Sequence, residues 1–456
     1  MTDSPDVLIL GGGSGGYACA FRAAQLGKTV TLIEEDKVGG TCLHRGCIPT
    51  KALVHAAEVA DTVAHASSIG IGATLGDIDA DAVHAYKDGV VDRLYKGLQG
   101  LVRSHKINLV TGTGHYAGGT TVQVDGRSIT GRSLVLATGS QVRGIPGLEI
   151  DGRILTSDQA LRYPTIPKRV VVLGGGIIGV EFASIWSSLG ADVTIIEALP
   201  RLVATEDEWT SKQLTRAFRK RGITIKTDTR FAKAVQDENS VSVTVESGDT
   251  IDADVLLVAV GRGPRTAGIG LTENGIALDE RGFARVDEHL RTSVSNVYAV
   301  GDIVAGPQLA HRGFQHGLLV AEHIAGLPTT AVDDVNIPRV AYSNPEILSV
   351  GLTEAQARDR FPAVDTTVYD LAGNGKSQIL GTSGGVKLIR AEDGPVVGIH
   401  MVGERVSELV GEAQLIVNWG AHPDEVADLI HAHPTQAEAL GEAHLALAGR
   451  PLHAHG

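Results

Sequence analysis

A chain of 456 residues, 43% hydrophobic and 20% charged, has the makeup of a globular protein of roughly three domains of about 150 residues each. Its formal charge of -13 argues against a nucleic-acid surface, which needs basic stripes, and no apolar run is long enough to span a bilayer. The 57 glycines have no three-residue period and three cysteines do not make a disulfide scaffold, so tight nucleotide loops and a reducing cytoplasm are the expected setting.

The opening MTDSPDVLILGGG enters a strand almost at once, which leaves no room for a cleavable signal. Val7-Leu8-Ile9-Leu10 is the unbroken apolar run of a parallel strand buried on both faces. Gly11-Gly12-Gly13-Ser14-Gly15-Gly16 follows, then the helical stretch YACAFRAAQLG, then the strand TVTLIE closing on Glu34. Together these make a dinucleotide fingerprint. Gly11 permits the tight turn, Gly13 lets a pyrophosphate approach the backbone, and Gly16 lets helix pack on strand. Glu34 stands 23 residues after Gly11, where a carboxylate accepts from ribose hydroxyls. Cys19, mid-helix, reads as a small buried hydrophobe.

Next comes GGTCLHRGCIPTKAL, Gly39 to Leu53, with two of the three cysteines. A single C-x4-C supplies too few ligands for zinc, although His44 and His55 bracket the pair and keep metal binding in play. In a reducing compartment the better reading is redox chemistry. Pro49 suits the first turn of a helix, which puts Cys47 at the helix N-terminus, where the macrodipole favours a thiolate. Lys51, four residues on, comes round to the same face, and its charge can also steer a flavin ring.

LVLATGS, ending at Ser140, reads as a buried strand closing in small residues, where a cofactor can lie against backbone. The dinucleotide device then returns. KRVVVL leads into Gly174-Gly175-Gly176-Ile177-Ile178-Gly179, then VEFASIWSSLG and DVTIIE, and Glu197 again stands 23 residues after the first glycine, Gly174. Two such units suggest two different dinucleotides with electrons passing between them. An acid at 197 favours NAD over NADP, because a 2′-phosphate would be repelled there. Arg201 nearby is read as a surface or capping residue. VLLVAVGRGPRT from Val255 and VYAVGD from Val297 are further strands of this kind. Asp302, at the end of the last, can bind a polyol chain or cap the helix that follows. From about Asn336, IPRVAYSNPEILSVG, TVYDLAG and GGVKLIR read as strands and SELVGEAQLIVNWG as a helix, which suggests a separate α+β domain closing on HAHPTQAEALGEAHLALAG.

The run GGTCLHRGCIPTKAL resembles the active-site disulfide of the pyridine nucleotide–disulfide oxidoreductases, and among them the dihydrolipoamide dehydrogenases. The resemblance extends over the whole chain, in the family's order of elements. It implies an α/β protein with two tandem Rossmann-like dinucleotide-binding domains, for FAD and NAD, plus a C-terminal α+β dimerisation domain. The expected divisions are 1–147 for FAD with the redox disulfide, 148–270 for NAD, 271–335 returning to the FAD domain, and 336–456 for the interface.

By the same resemblance Cys42 is the interchange thiol and Cys47 the thiol beside the flavin. Lys51 sits near the flavin's reactive nitrogen with Glu181, just past Gly179, as its partner. Asp302 binds the ribityl chain, Ala310 contacts the flavin through its backbone, and Gly114 lies on the adenine side. Ala259, Gly261 and Arg262 belong to a loop touching NAD. His433 and Glu438 match an acid–base pair in which the glutamate orients the imidazole, and a near-neutral imidazole suits removal of a thiol proton. In relatives this histidine serves the other subunit, so a homodimer is implied. His431 reads as a helix-end or interface histidine.

Rival members of the family are set aside by residues. Mercuric reductases and large thioredoxin reductases carry a terminal cysteine pair, and no cysteine follows Cys47 here. Soluble transhydrogenases lose the cysteine that Cys42 supplies. Glutathione and mycothiol reductases prefer NADPH and usually carry arginine where Glu197 stands, so an NAD(P)H-dependent reductase of a small disulfide is the alternative. The implied partner is a lipoyl-bearing acyltransferase of a 2-oxoacid dehydrogenase complex, or a glycine cleavage lipoyl protein. His44-Arg45 between the thiols and GPQLAHRGFQHG after Asp302 depart from the family's usual residues.

Overall fold

The computed structural model describes residues 4–454. The first three residues of the opening segment, and His455 and Gly456 of the closing one, lie outside the described residues. The chain divides into two compact units. The first comprises the chain through Leu53, Asp79–Arg143 and Gly261–Asp334, and the second Val54–Ile78, Gly144–Val260 and the chain from Val335.

In the first unit five strands pair in parallel, in the order Val297–Ala299, Ser133–Leu136, Val7–Leu10, Val30–Glu34 and Asn108–Thr111. Val7, Leu8 and Ile9 are completely buried, as an apolar run without alternation requires of a sheet covered on both faces. The helix Ser14–Gln25 crosses the helix Ala310–Ile324 at very close range. A Cβ on Gly317 would stand 2.3 Å from the Gly15 carbonyl oxygen and 2.7 Å from the Cys19 amide, so only glycine fits the crossing. Cys19 is fully buried there and burial pushes its thiol up to about 12, as befits a core residue.

The second unit repeats the architecture. Its five parallel strands lie in the order Thr224–Lys226, Asp192–Ile196, Arg169–Leu173, Val255–Val258 and Ile154–Thr156. It also contains an antiparallel five-stranded sheet, ordered Arg339–Ala341, Glu346–Gly351, Val396–Gly403, Gly385–Ala391 and Val364–Asp370, with the helices Val410–Trp419 and Glu438–Leu447. The α/β class, the two dinucleotide-type sheets and the terminal α+β layer are as expected.

Other elements were not foreseen. Val396–Gly403, the middle strand of the terminal sheet, had no separate signal, because it is apolar on both sides of a glycine and gives no alternation. Two three-stranded antiparallel sheets begin at Gly114 and Phe231. Asp302 does not cap the helix that follows. That helix begins at Ala310 with Leu309 at its N-cap, and Asp302 sits in a short 3-10 turn instead.

Buried charges tie Glu206 and Asp207, at the start of the helix Glu208–Lys220, to the terminal layer within the second unit. Lys387 Nζ lies 2.7 Å from Asp207 Oδ1 and 2.7 Å from Glu354 Oε2, and Arg339 Nε lies 3.1 Å from Glu206 Oε1. Lys387, Asp207 and Glu206 are all buried, so the attraction acts with little solvent screening.

Candidate active site

Each glycine fingerprint closes as steric necessity demands. In the first unit a Cβ on Gly11 would stand 2.2 Å from the Ala137 carbonyl oxygen, and one on Gly16 1.9 Å from the Gly11 carbonyl. In the second, the matching approaches are Gly174 to Ala259 at 2.4 Å and Gly179 to Gly174 at 2.0 Å. The middle glycines differ. Nothing lies within 4 Å of a Cβ on Gly13 or on Gly176, so each opens onto space that a side chain would fill. Both stand as N-caps of the helices Ser14–Gln25 and Ile177–Ser188, whose first amides are without helical partners. That is the cradle a pyrophosphate needs, and the residues fit a dinucleotide in each unit.

The acids at the strand ends are held alike. Glu34 Oε2 accepts the Gly12 amide at 2.6 Å and Oε1 the Asp36 amide at 2.9 Å. Glu197 Oε2 accepts the Gly175 amide at 2.6 Å and Oε1 the Leu199 amide at 2.7 Å. Each carboxylate is thereby fixed beside its loop. Arg201 is spent on its own loop: its guanidinium donates to the carbonyls of Ala204 and Glu206 and to Ser211, which leaves the acid at 197 to set the local charge.

The cysteine turn is clamped to the first loop. Gly39 donates its amide to the Gly12 carbonyl at 2.8 Å, and a Cβ on Gly40 would meet Gly13 Cα at 2.7 Å. Gly39 and Gly40 have φ of +114° and +57°, so the pair that flanks the motif serves both the backbone bend and the close approach. Two helices follow, Gly40–Arg45 with Cys42 and one beginning at Cys47. Cys42 and Cys47 both carry free thiols, and their side chains are hydrogen-bonded to each other. That bond, burial and the nearby Cys47 raise the pKa of Cys42, against the opposing charge of Lys51 and the Cys47 amide. Cys47 opens the second of these helices, where the dipole favours negative charge.

His44 Nε2 is bonded to the Val38 carbonyl at 3.0 Å and His55 Nδ1 lies 3.3 Å from Glu58 Oε2. Among the described residues no group of three or more His, Cys, Asp or Glu side chains is arranged to hold a metal ion. Nor is any described helix long and apolar enough to cross a membrane.

Asp302 accepts the Ser140 hydroxyl at 2.6 Å, and Arg262 donates to that hydroxyl at 2.9 Å and to the Ser140 carbonyl at 3.0 Å. Ser140 was only the last letter of a strand in the sequence, so its part in orienting Asp302 was not legible. Ala310 is the first residue of its helix, and Gly114 is packed against Leu10 and Ile33 at the ends of two strands. Ala259 falls in the second unit, whereas Gly261 and Arg262 fall in the first. Glu181 is buried and accepts the Tyr342 amide at 3.0 Å. Tyr17 was also missed. Burial and the charges of Cys42 and Cys47 push its hydroxyl up to about 12, and its ring packs 5.6 Å from Phe21 and 5.5 Å from Phe314.

In the terminal layer His433 Nδ1 lies 2.6 Å from Glu438 Oε1, and Glu438 Oε2 accepts the Thr435 amide at 2.7 Å. Burial opposes ionisation of Glu438, yet the Thr435 amide and then His433 hold its carboxyl below the usual range. The His433 side chain is 75% exposed. His431 lies instead against Glu412 at 2.7 Å and is mostly buried; the Glu412 hydrogen bond raises its pKa despite that burial.

Comparison with known proteins bears on all of this. The profile of the pyridine nucleotide-disulphide oxidoreductases matches residues 5–317, and that of their dimerisation domain matches residues 337–444. A dihydrolipoyl dehydrogenase of Bacillus subtilis is 38% identical over 99% of this chain and 100% of its own length. A mitochondrial dihydrolipoyl dehydrogenase of Pisum sativum is 36% identical over 99% of this chain and 93% of its own. Among solved structures, LpdA from Mycobacterium tuberculosis superposes with a TM-score of 0.90 at 25% identity, covering 97% of this chain and 99% of that one. The HOCl-induced flavoprotein disulfide reductase RclA from Escherichia coli gives 0.87 at 28% identity, covering 96% and 99%. By profile, by full-length relatives and by fold, this chain belongs to the pyridine nucleotide-disulphide oxidoreductase family.

Proposed function

We propose that this chain oxidises protein-bound dihydrolipoamide to lipoamide, with NAD as acceptor, through a Cys42–Cys47 couple and FAD. The observation that carries the reading is the thiol pair itself: the Cys42 and Cys47 side chains are hydrogen-bonded to each other on a turn clamped to the Gly12–Gly13 loop. The full-length relatives named dihydrolipoyl dehydrogenase support the choice of substrate.

The domain assignment is that of the sequence: 1–147 and 271–335 hold FAD, 148–270 hold NAD, and 336–456 form the dimer interface. Gly11, Gly13, Gly16, Glu34, Lys51, Gly114, Asp302 and Ala310 hold FAD. Gly174, Gly176, Gly179, Glu181, Glu197, Ala259, Gly261 and Arg262 hold NAD. Bound there, FAD would supply the two-electron link between the dithiol and the nicotinamide.

The protein's own groups do the sulfur and proton work. A substrate thiolate attacks the Cys42 sulfur of the disulfide, which breaks the Cys42–Cys47 bond and leaves Cys47 as thiolate. The second substrate sulfur then attacks the first, releasing lipoamide and leaving Cys42 reduced. His433, oriented by Glu438, takes up the thiol proton that each attack must shed. The balance is dithiol plus NAD+ giving disulfide, NADH and a proton.

In the proposed homodimer His433 of one protomer serves the thiols of the other. Its exposure supports this, as do Ile430, 100% exposed, and Trp419, 79% exposed, in a layer matched to a dimerisation domain. The proposed partner is a lipoyl-bearing acyltransferase of a 2-oxoacid dehydrogenase complex or a glycine cleavage lipoyl protein, and the proposed setting is a reducing cytoplasm. Purified protein mixed with dihydrolipoamide and either NAD or NADP tests the reading by the absorbance of the reduced nucleotide. NADH formation well above NADPH formation is expected; no reduction of either nucleotide would refute it.

A further inference from the structure

Gly301 follows the strand Val297–Ala299 and turns the chain with a φ of +71°. The residue is buried, and a buried amide in so tight a turn has neither sheet nor helix partner and must find another acceptor. Nδ1 of His316 supplies it, 3.2 Å away. His316 lies on the helix Ala310–Ile324 and is only 2% exposed. Burial, and then the Arg312 guanidinium, push its pKa down to about 3, so the ring is neutral. With the Nδ1 lone pair taken by Gly301, the ring proton resides on Nε2.

Side chains on that helix and just before it hold the rest of the turn. Arg312 donates to the Val304 carbonyl at 3.2 Å and the Ala305 carbonyl at 2.6 Å, and is anchored by Asp334 at 2.6 Å. Gln308 donates to the Asp302 carbonyl at 3.3 Å, while Ser140 holds the Asp302 carboxylate. The backbone of Gly301 and the side chain of Asp302 are thus fixed from different directions. An imidazole is well suited to the first task, being a rigid acceptor that brings no charge into the core, where a carboxylate would be costly.

We propose that His316 is a positioning residue for FAD: by accepting the Gly301 amide it sets the direction of the Asp302 carboxylate that holds the ribityl chain. This rests on the reading of Asp302 as that ligand. His316→Leu and His316→Asn both remove the imidazole, but only asparagine places an acceptor, Oδ1, where Nδ1 stood. The readouts are the flavin-to-protein ratio of the purified holoenzyme and its FAD dissociation constant. The leucine variant is expected to bind FAD at least about tenfold more weakly, from the stranded amide, and the asparagine variant within about threefold of wild type.

Equal weakening in both variants, or none in the leucine variant, overturns the proposal. Should the leucine variant not fold, nitrogen NMR of histidine-labelled wild-type holoenzyme gives a reading without mutation. A neutral ring protonated at Nε2 is expected from about pH 5 to 8, the range in which an ordinary histidine titrates. A ring that titrates in that range, or one protonated at Nδ1, overturns the assignment. Wild-type protein that binds no FAD would instead remove the Asp302 reading, whatever the state of His316.

Discussion

Glu438 grips both ends of a short loop, taking His433 Nδ1 on one oxygen at 2.6 Å and the Thr435 amide on the other at 2.7 Å. The carboxylate therefore cannot rotate without losing one of them, and the imidazole is held by Nδ1 while its side chain stays 75% exposed. Glu438→Gln removes the charge that stabilises a protonated ring. A fall in kcat of about a hundredfold is expected, at the low end for a lost acid–base group, with the flavin spectrum unchanged. Steady-state turnover of dihydrolipoamide equal to wild type would show that the pair has no part in proton transfer.

The contact between the Cys42 and Cys47 side chains sets a second expectation. Cys47→Ser keeps the size of the side chain but removes the sulfur that must exchange electrons. The purified variant is expected to stay yellow with bound FAD and to lose lipoamide turnover. Retained full activity in that variant would rule out the disulfide route.

Gly176 and Gly179 separate cofactor binding from folding within one motif. A methyl on Gly176 meets nothing in the protein, so Gly176→Ala should leave the melting temperature near wild type while raising the KM for NAD about tenfold or more, since it fills the phosphate space. A methyl on Gly179 would stand 2.0 Å from the Gly174 carbonyl, so Gly179→Ala should lower the melting temperature instead. Thermal unfolding and NAD titration of the two variants, side by side, decide it. An unchanged KM in the first would place NAD elsewhere.

Asp207 and Lys387 predict an acid sensitivity. Burial opposes ionisation of Asp207, but the Lys387 ammonium and the Glu354 amide outweigh it and hold the carboxyl below its usual range. A depressed carboxylate contributes stability that is fully present above its unfolded pKa, about 4, and is lost as pH falls through the lower folded value. Asp207→Asn should cost about 3 kcal/mol near neutrality, the low end for a broken buried pair because Glu354 still faces Lys387. Denaturant unfolding should show that difference constant from about pH 7 to 5 and shrinking below about pH 4. A difference independent of pH would mean the pair contributes through packing alone.

Both glycine fingerprints, the acids 23 residues on, and the C-x4-C run with Lys51 were legible because each is a local pattern. A φ that only glycine adopts, a helix that must start on a bare amide, or a strand buried on both faces imposes its residues over short spans. The strand Val396–Gly403 was not legible, since a two-sided apolar run loses the alternation that marks a strand. Nor was the role of Ser140, which depends on a carboxylate 162 residues away.

The amino-acid order alone thus settled the two dinucleotide devices, the close cysteine pair at a helix start and the α+β layer at the end, because backbone sterics act between near neighbours. Tertiary structure decided where each plausible side chain stands: His433 is exposed against Glu438 while His431 is mostly buried against Glu412, Arg201 is turned into its loop, and Lys387 finds Asp207 across 180 residues. Those choices are set by burial and by partners distant along the chain, and desolvation then fixes which groups keep their charge.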